Sequence, residues 1–155
     1  MPQKQERLGA LQQFGRTYRS FLSAYEARVG LPLPRWRILL AVHEGGHVSQ
    51  KRLVEQLQID PGALTRQLKN LESLGWISRS VDARDNRITN VTLTAAGAAA
   101  VAQTMPRRNR FLDELLDGIP EAQLHALSAG LALLEARLAQ MRAPDTQSRA
   151  SDESA

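Results

Sequence analysis

Cysteine is absent from this chain of 155 residues. With no thiol there is no disulfide scaffold, no thiolate nucleophile, no cysteine zinc site and no cysteine redox sensor. Long apolar runs are missing too. Nothing approaches the roughly 18 residues of a membrane helix, and the opening MPQKQERLGA lacks the hydrophobic region of a signal peptide. The expectation is a soluble cytoplasmic protein with no membrane partner. The length suits one domain with a proper core, alone or with a dimerising extension, and excludes two full enzyme domains. Nor is there a strong excess of one charge. A formal net charge of +4 and a pI near 10.1 are mild, and such a balance favours nucleic acid over membrane as an anionic partner.

What is there is an ordered series of signals over residues 49–94. Ser49 is placed to cap a short helix carrying Leu53, Val54 and Leu57, and Gln58-Ile59-Asp60 joins it to a second helix, which is helix-turn-helix spacing. Asp60 can cap that second helix, which opens at Pro61 and is expected to run to Leu74, where Gly75 stops it. Its Leu64, Leu68, Leu71 and Leu74 recur at three- and four-residue spacing and predict one core-facing side. The other side carries Thr65, Arg66, Lys69 and Asn70. Donors and cations of this kind suit phosphates and base edges in a major groove, although they also make an ordinary solvated surface. Residues 76–81 and 88–93 then read as two strands, with 82–87 as their loop. Caps, joint, stripe and hairpin agree on a winged helix-turn-helix.

On either side lie longer helical patterns. Leu8, Leu11, Gly15, Tyr18, Leu22, Tyr25 and Val29 step by three and four through a helix over residues 5–29, with Phe14 and Phe21 widening its apolar side. Residues 34–44 are apolar nearly all round, with Trp36, Ile38, Leu39, Leu40 and Val42, and predict a central buried helix closed by Gly45-Gly46. That closure bears on His43-Glu44-Gly45-Gly46-His47, which matches the zinc-protease pattern H-E-x-x-H. The chemistry needs both histidines on one face of an unbroken helix. Two consecutive glycines cost a helix about 2 kcal/mol, so the segment reads as a turn. After the wing, Thr94 can cap an alanine-rich helix from Ala95 that continues to Gly118, bent near Gln103 by Pro106. Arg107, Arg108 and Arg110 there read as a solvated charge run rather than a DNA contact. Pro120 opens a last helix with a heptad seam of Leu124, Leu127, Leu131, Leu134, Leu138 and Met141, and a small, polar tail follows that predicts disorder.

The fold class expected is therefore mainly α with a small β-hairpin wing, a winged helix-turn-helix plus long terminal helices that form a dimerisation region. Its parts are residues 1–33 (first dimerisation helix and connection), 34–94 (DNA-binding region), 95–142 (C-terminal dimerisation helices) and 143–155 (disordered tail). No catalytic residue, metal or cofactor is expected. A zinc-dependent hydrolase using His43 to His47, and a winged helix that only binds protein, are the alternatives.

The chain resembles the MarR family of bacterial winged-helix transcription factors. The resemblance is carried by Trp36-Arg37-Ile38-Leu39, by Asp60-Pro61-Gly62-Ala63-Leu64-Thr65-Arg66, by Leu71-Glu72-Ser73-Leu74-Gly75-Trp76-Ile77, by Asp85-Asn86-Arg87 in the wing and by Leu93-Thr94-Ala95-Ala96-Gly97. It implies a homodimer that binds a pseudo-palindromic operator in double-stranded DNA, usually as a repressor released by a small aromatic anion. Thr65 and Arg66 would then face the groove and Arg87 would make the wing's minor-groove contact. The full candidate DNA-binding set is Ser49, Gln50, Lys51, Gly62, Ala63, Thr65, Arg66, Lys69, Arg84, Asp85 and Arg87. For an aromatic-acid effector the candidates are Phe14, Tyr18 and Trp36 with Arg16, Arg19 and His43. Two positions depart from the family's pattern. Gln58 replaces a frequent glycine in the joint, where a left-handed residue costs about 1–2 kcal/mol, and Pro32 replaces a frequent threonine cap.

Overall fold

The computed structural model describes residues 2–142; the tail expected to be disordered lies outside the described residues. By contacts the chain divides into two compact units, Met1–Leu115 and Leu116–Ala155. The first contains α1 (Pro2–Val29), α2 (Leu33–Gly45), β1 (Val48–Ser49), α3 (Gln50–Leu57), α4 (Pro61–Ser73), β2 (Ile77–Val81), β3 (Thr89–Leu93) and all of α5 (Ala95–Leu116) but its last residue. The second contains α6 (Glu121–Arg142). Among the described residues no helix is long and apolar enough to cross a membrane.

The core gathers where the helix-turn-helix meets the sheet. Ile38, Leu39 and Val42 of α2, Leu53 of α3, Leu64, Leu68 and Leu71 of α4 and Val91 of β3 are all fully buried. Burying one such side chain contributes roughly 1.5–3 kcal/mol, so the α4 stripe alone anchors that helix firmly. Leu74 was expected to extend the stripe, but it is 47% exposed. The helix has ended by then: Leu74 is its C-cap, Gly75 turns with φ 74, and Trp76 N–H bonds back to Leu71 O at 3.0 Å. The next core residue after Leu71 is Ile77, buried at the start of β2.

The wing is a three-stranded antiparallel sheet in the order β1-β3-β2, not the isolated hairpin expected. Strands β2 and β3 pair from Ile77↔Leu93 to Val81↔Thr89, and β1 adds Val48↔Val91 and Ser49↔Asn90. Two residues carry no periodicity, which is why β1 is not visible in the pattern.

Both departures from the family's pattern are accommodated. Gln58 does take the left-handed conformation, φ 49 and ψ 46, and its N–H bonds to Val54 O. From α2, Arg37 Nη2 donates to Leu57 O at 3.1 Å, satisfying a carbonyl that α3 leaves open at its end. At the start of α2, Pro32 accepts the Trp36 N–H through its carbonyl at 3.1 Å, while Pro34 in the first turn has no N–H to satisfy. Further along, α5 runs unbroken through Pro106.

The terminal helices are less covered than their seams imply. Among the described residues of α1 only Tyr25 and Val29 are buried; Leu8, Leu11, Phe14 and Tyr18 are exposed. Considered by itself, α6 has no buried residue, and Leu127, Leu134, Leu138 and Met141 are exposed.

One glycine is required by close approach. A Cβ on Gly97 would sit 1.8 Å from the Trp76 carbonyl oxygen, a backbone atom that the neighbouring strands hold in place. Gly97→Ala must push α5 off the sheet, and overpacking of this kind costs about 1–3 kcal/mol. Urea unfolding followed by far-UV circular dichroism should give a lower midpoint for Gly97→Ala at unchanged slope.

Candidate nucleic-acid interface

The candidate surface begins with two helix caps. Ser49 Oγ accepts the Arg52 N–H at 3.2 Å, and an Asp60 carboxylate oxygen accepts the Ala63 N–H at 2.9 Å. These fix the first turns of α3 and α4, and cap positions set where a helix starts to within one residue. Past the Asp60 cap, Arg66, Lys69 and Asn70 lie exposed on α4, on the side away from the buried leucines. Gly62 and Ala63 lie in the first turn, and the Arg66 guanidinium folds back over Gly62, 3.7 Å from where a Cβ there would sit. Gln50, Lys51, Pro61 and Thr65 line one groove of about 390 Å³ between the two helices.

A second groove, of about 300 Å³, is lined by Ser49, Gln50 and Lys51 together with Arg87, Ile88 and Thr89. The structure thus brings the start of α3 against the tip of the wing. The pairing of β1 with β3 is the cause, because Ser49 is at once a strand residue opposite Asn90 and the cap of α3.

Arg87 is 91% exposed, yet its geometry is set. Its Nε donates to Asp85 Oδ1 at 3.1 Å and its Nη2 to Oδ2 at 3.3 Å, a side-on pairing that holds the guanidinium plane. The same hydrogen bonds, with the Arg87 N–H, keep the Asp85 carboxyl below its ordinary pKa. Arg84 lies exposed on the same loop.

The loop that carries both arginines is organised by a residue outside the expected set. Asp82 Oδ1 accepts the backbone N–H groups of Arg84 at 2.9 Å and Asp85 at 3.2 Å, and Oδ2 accepts Asn90 Nδ2 at 2.9 Å. Asn90 is itself buried in β3. Aspartate at the head of a turn, bonding N–H groups two and three residues on, is a recognisable local pattern, and it was the available signal. A further tie, Arg79 on β2 to Glu72 on α4 (2.6 and 3.1 Å), fastens the wing to the recognition helix and lowers the Glu72 pKa.

The six effector candidates do not share a site in this chain. Phe14 and Tyr18 stack along α1 with ring centroids 6.1 Å apart, and Arg16 and Arg19 are exposed on the same helix. Tyr18 lines a cleft of about 200 Å³ with Leu22, Arg37 and the joint residues, whereas His43 lines a different one, about 450 Å³, against α5. Trp36 lines neither. It is 2% exposed, a core residue whose Nε1 has no hydrogen-bond partner among the described residues.

The zinc-hydrolase alternative fails on geometry. His43 and Glu44 are in the last turn of α2, Gly46 caps it with φ 67, and His47 lies beyond the reversal. The two histidines therefore share no helical face.

Asp82 carries a pH prediction. Its pKa lies below the ordinary 3.8 because the Arg84 N–H, then the Asn90 amide and the Asp85 N–H, bond the charged form. A depressed carboxylate contributes order above its unfolded pKa, and the contribution is lost as pH falls through the folded value. Hydrogen exchange at the Arg84 and Asp85 amides should be slow, after correction for intrinsic rates, down to that ordinary value and accelerate below it. In Asp82→Ala both amides should exchange fast at every pH.

Comparison with known proteins fits this surface. The sequence profile of the MarR family matches residues 29–88. The uncharacterised HTH-type transcriptional regulator YdgJ of Bacillus subtilis is 34% identical over 108 residues, a stretch that covers 70% of this chain and 66% of that relative, just under two thirds of its length. Among solved structures, a C80S mutant of MarR from E. coli complexed with operator DNA superposes with a TM-score of 0.74 at 22% identity, covering 83% of this chain and 95% of that one. BpsR of Bordetella bronchiseptica, whose DNA binding is regulated by 6-hydroxynicotinic acid, superposes at 0.68 with 22% identity, covering 83% and 98%.

Proposed function

The chain belongs to the MarR family, and from that premise we propose that it is a sequence-specific DNA-binding regulator, a cytoplasmic homodimeric repressor released by a small aromatic carboxylate. The observation that carries the DNA reading is the joint presentation of a doubly capped helix pair and a wing arginine fixed by Asp85. Helix α4 enters the major groove. Arg66, in its second turn, grips guanine O6 and N7 with two parallel hydrogen bonds, worth about 1–3 kcal/mol of discrimination against another base. Arg87, held outward, enters the narrow and strongly negative minor groove of an A·T-rich flank. Gln50, Lys51 and Lys69 contact phosphates, which positions the protein without reading sequence.

Two chains pair through their terminal helices. Support comes from the exposed Leu8, Leu11, Phe14 and Tyr18 on α1 and Leu127, Leu134, Leu138 and Met141 on α6, apolar rows of a kind that soluble monomers seldom leave open. Two-fold symmetry then sets the half-sites about 10 base pairs apart, one turn of duplex.

A salt titration of wild type, Arg66→Ala and Arg87→Ala on a selected operator and a scrambled duplex tests the DNA reading. Wild type should bind the operator with two chains per duplex. Arg66→Ala should lose discrimination between the duplexes, while Arg87→Ala should weaken binding to both and flatten the salt dependence by about one charge. A wild type that binds both duplexes equally at physiological salt would favour a winged helix used only for protein contacts.

The effector reading rests on the two clefts, lined by Tyr18 and by His43, and 6-hydroxynicotinic acid is a model for the ligand class. In a thermal-shift panel of benzoates, hydroxybenzoates and pyridine carboxylates, one member at about 100 times its dissociation constant should add roughly 2.7 kcal/mol of stability. No shift across the panel removes the effector from the proposal.

A further inference from the structure

Thr65 precedes Arg66 on α4, half-buried on the wall of the groove between α3 and α4. A threonine offers a base edge three chemistries: a hydroxyl donor, an oxygen acceptor and a methyl group. From sequence it counts as a donor. In the structure that donor is committed, because Thr65 Oγ1 donates to the Pro61 carbonyl at 2.9 Å, one turn back along its own helix. Threonine in a helix adopts few side-chain rotamers, and this back-bonded one leaves no proton for guanine O6 or N7, adenine N7 or thymine O4. What remains is the γ-methyl and an oxygen that only accepts. Pro61 and Leu64 beside it on α4, and Val54 facing them from α3, give the methyl apolar neighbours, while the polar lining, Gln50, Lys51 and Glu55, comes from α3.

We propose that Thr65 is a thymine reader, its γ-methyl packing on the C5-methyl of a thymine that neighbours the guanine held by Arg66 in each half-site. G·C pairs present no methyl in the major groove, so the contact selects A·T at that position. This inference rests on the DNA reading above and adds a base to it. Removing the thymine methyl should weaken binding about fourfold per half-site, the equivalent of one buried methyl-sized group.

The test uses the full chain and the operator it selects from random duplexes, with each thymine replaced in turn by deoxyuridine, which deletes only the methyl. Fluorescence anisotropy of wild type, Thr65→Val and Thr65→Ser on these duplexes gives the readout. Wild type should lose about fourfold affinity at one thymine in each half-site, next to the guanine at which Arg66→Ala loses discrimination. Thr65→Val, which keeps the methyl and cannot hydrogen-bond, should keep that sensitivity, and Thr65→Ser should lose it. A wild type indifferent to deoxyuridine at every position overturns the inference while leaving the DNA reading intact, and so does a Thr65→Ser protein as sensitive as wild type. A wild type that enriches no duplex at all overturns the DNA reading, and the thymine contact with it.

Discussion

The backbone of Trp76 is the point on which the first unit's geometry depends. Its N–H bonds to Leu71 O at the end of α4, its carbonyl accepts the Thr94 N–H where β3 ends, and Gly97 at the start of α5 packs directly on that oxygen. Three elements, α4, β3 and α5, are therefore fixed against the backbone of one residue, through the planar peptide groups on either side of its Cα. Gly75, with φ 74, is what lets the chain turn sharply enough to place it there. Everything the recognition helix presents on its outer side follows from the orientation set at this end and from the Asp60 cap at the other.

Much of this was legible because it is local. Caps, proline starts, glycine stops and the three-and-four stripe are all statements about residues within one helical turn of each other, and Asp60, Pro61, Gly75 and Leu64 through Leu71 behave as the pattern predicts. What was not legible depends on partners distant in sequence. Strand β1 has only two residues and exists because Val91 and Asn90 lie across from it. Leu74 fits the helical period, but the helix ends before the period does. Asp82 belongs to a loop whose acceptors become visible as an organising centre only when Asn90 arrives from β3. Of the candidate site, the residues proposed to face DNA come together because neighbouring elements carry them; the aromatic set does not, because Trp36 faces the core while Phe14 lies on the uncovered part of α1.

The left-handed Gln58 illustrates how a local penalty persists. A strained residue survives only where its surroundings over-determine it. Here the end of α3 and the start of α4 are both tied down, by Arg37 reaching Leu57 O from α2 and by the Asp60 cap, so the joint must span two fixed ends. Glycine would remove the strain but would also enlarge the unfolded ensemble, which is why the net advantage is small.

The loop at the wing tip is electrically balanced: Asp82 and Asp85 against Arg84 and Arg87. Seen from more than a Debye length away, about 10 Å at moderate salt, the loop exerts almost no pull on a polyanion. Long-range attraction on this face comes instead from Lys51, Arg52, Arg66 and Lys69 on the two helices, which carry no ion-paired partner among the described residues. On the proposed function, encounter and grip thereby fall to different elements. In the proposed DNA complex the helices would govern how fast a duplex arrives and in which orientation, and the wing, already ordered and nearly neutral, would act once contact is made, so its influence would fall on how long the complex lasts.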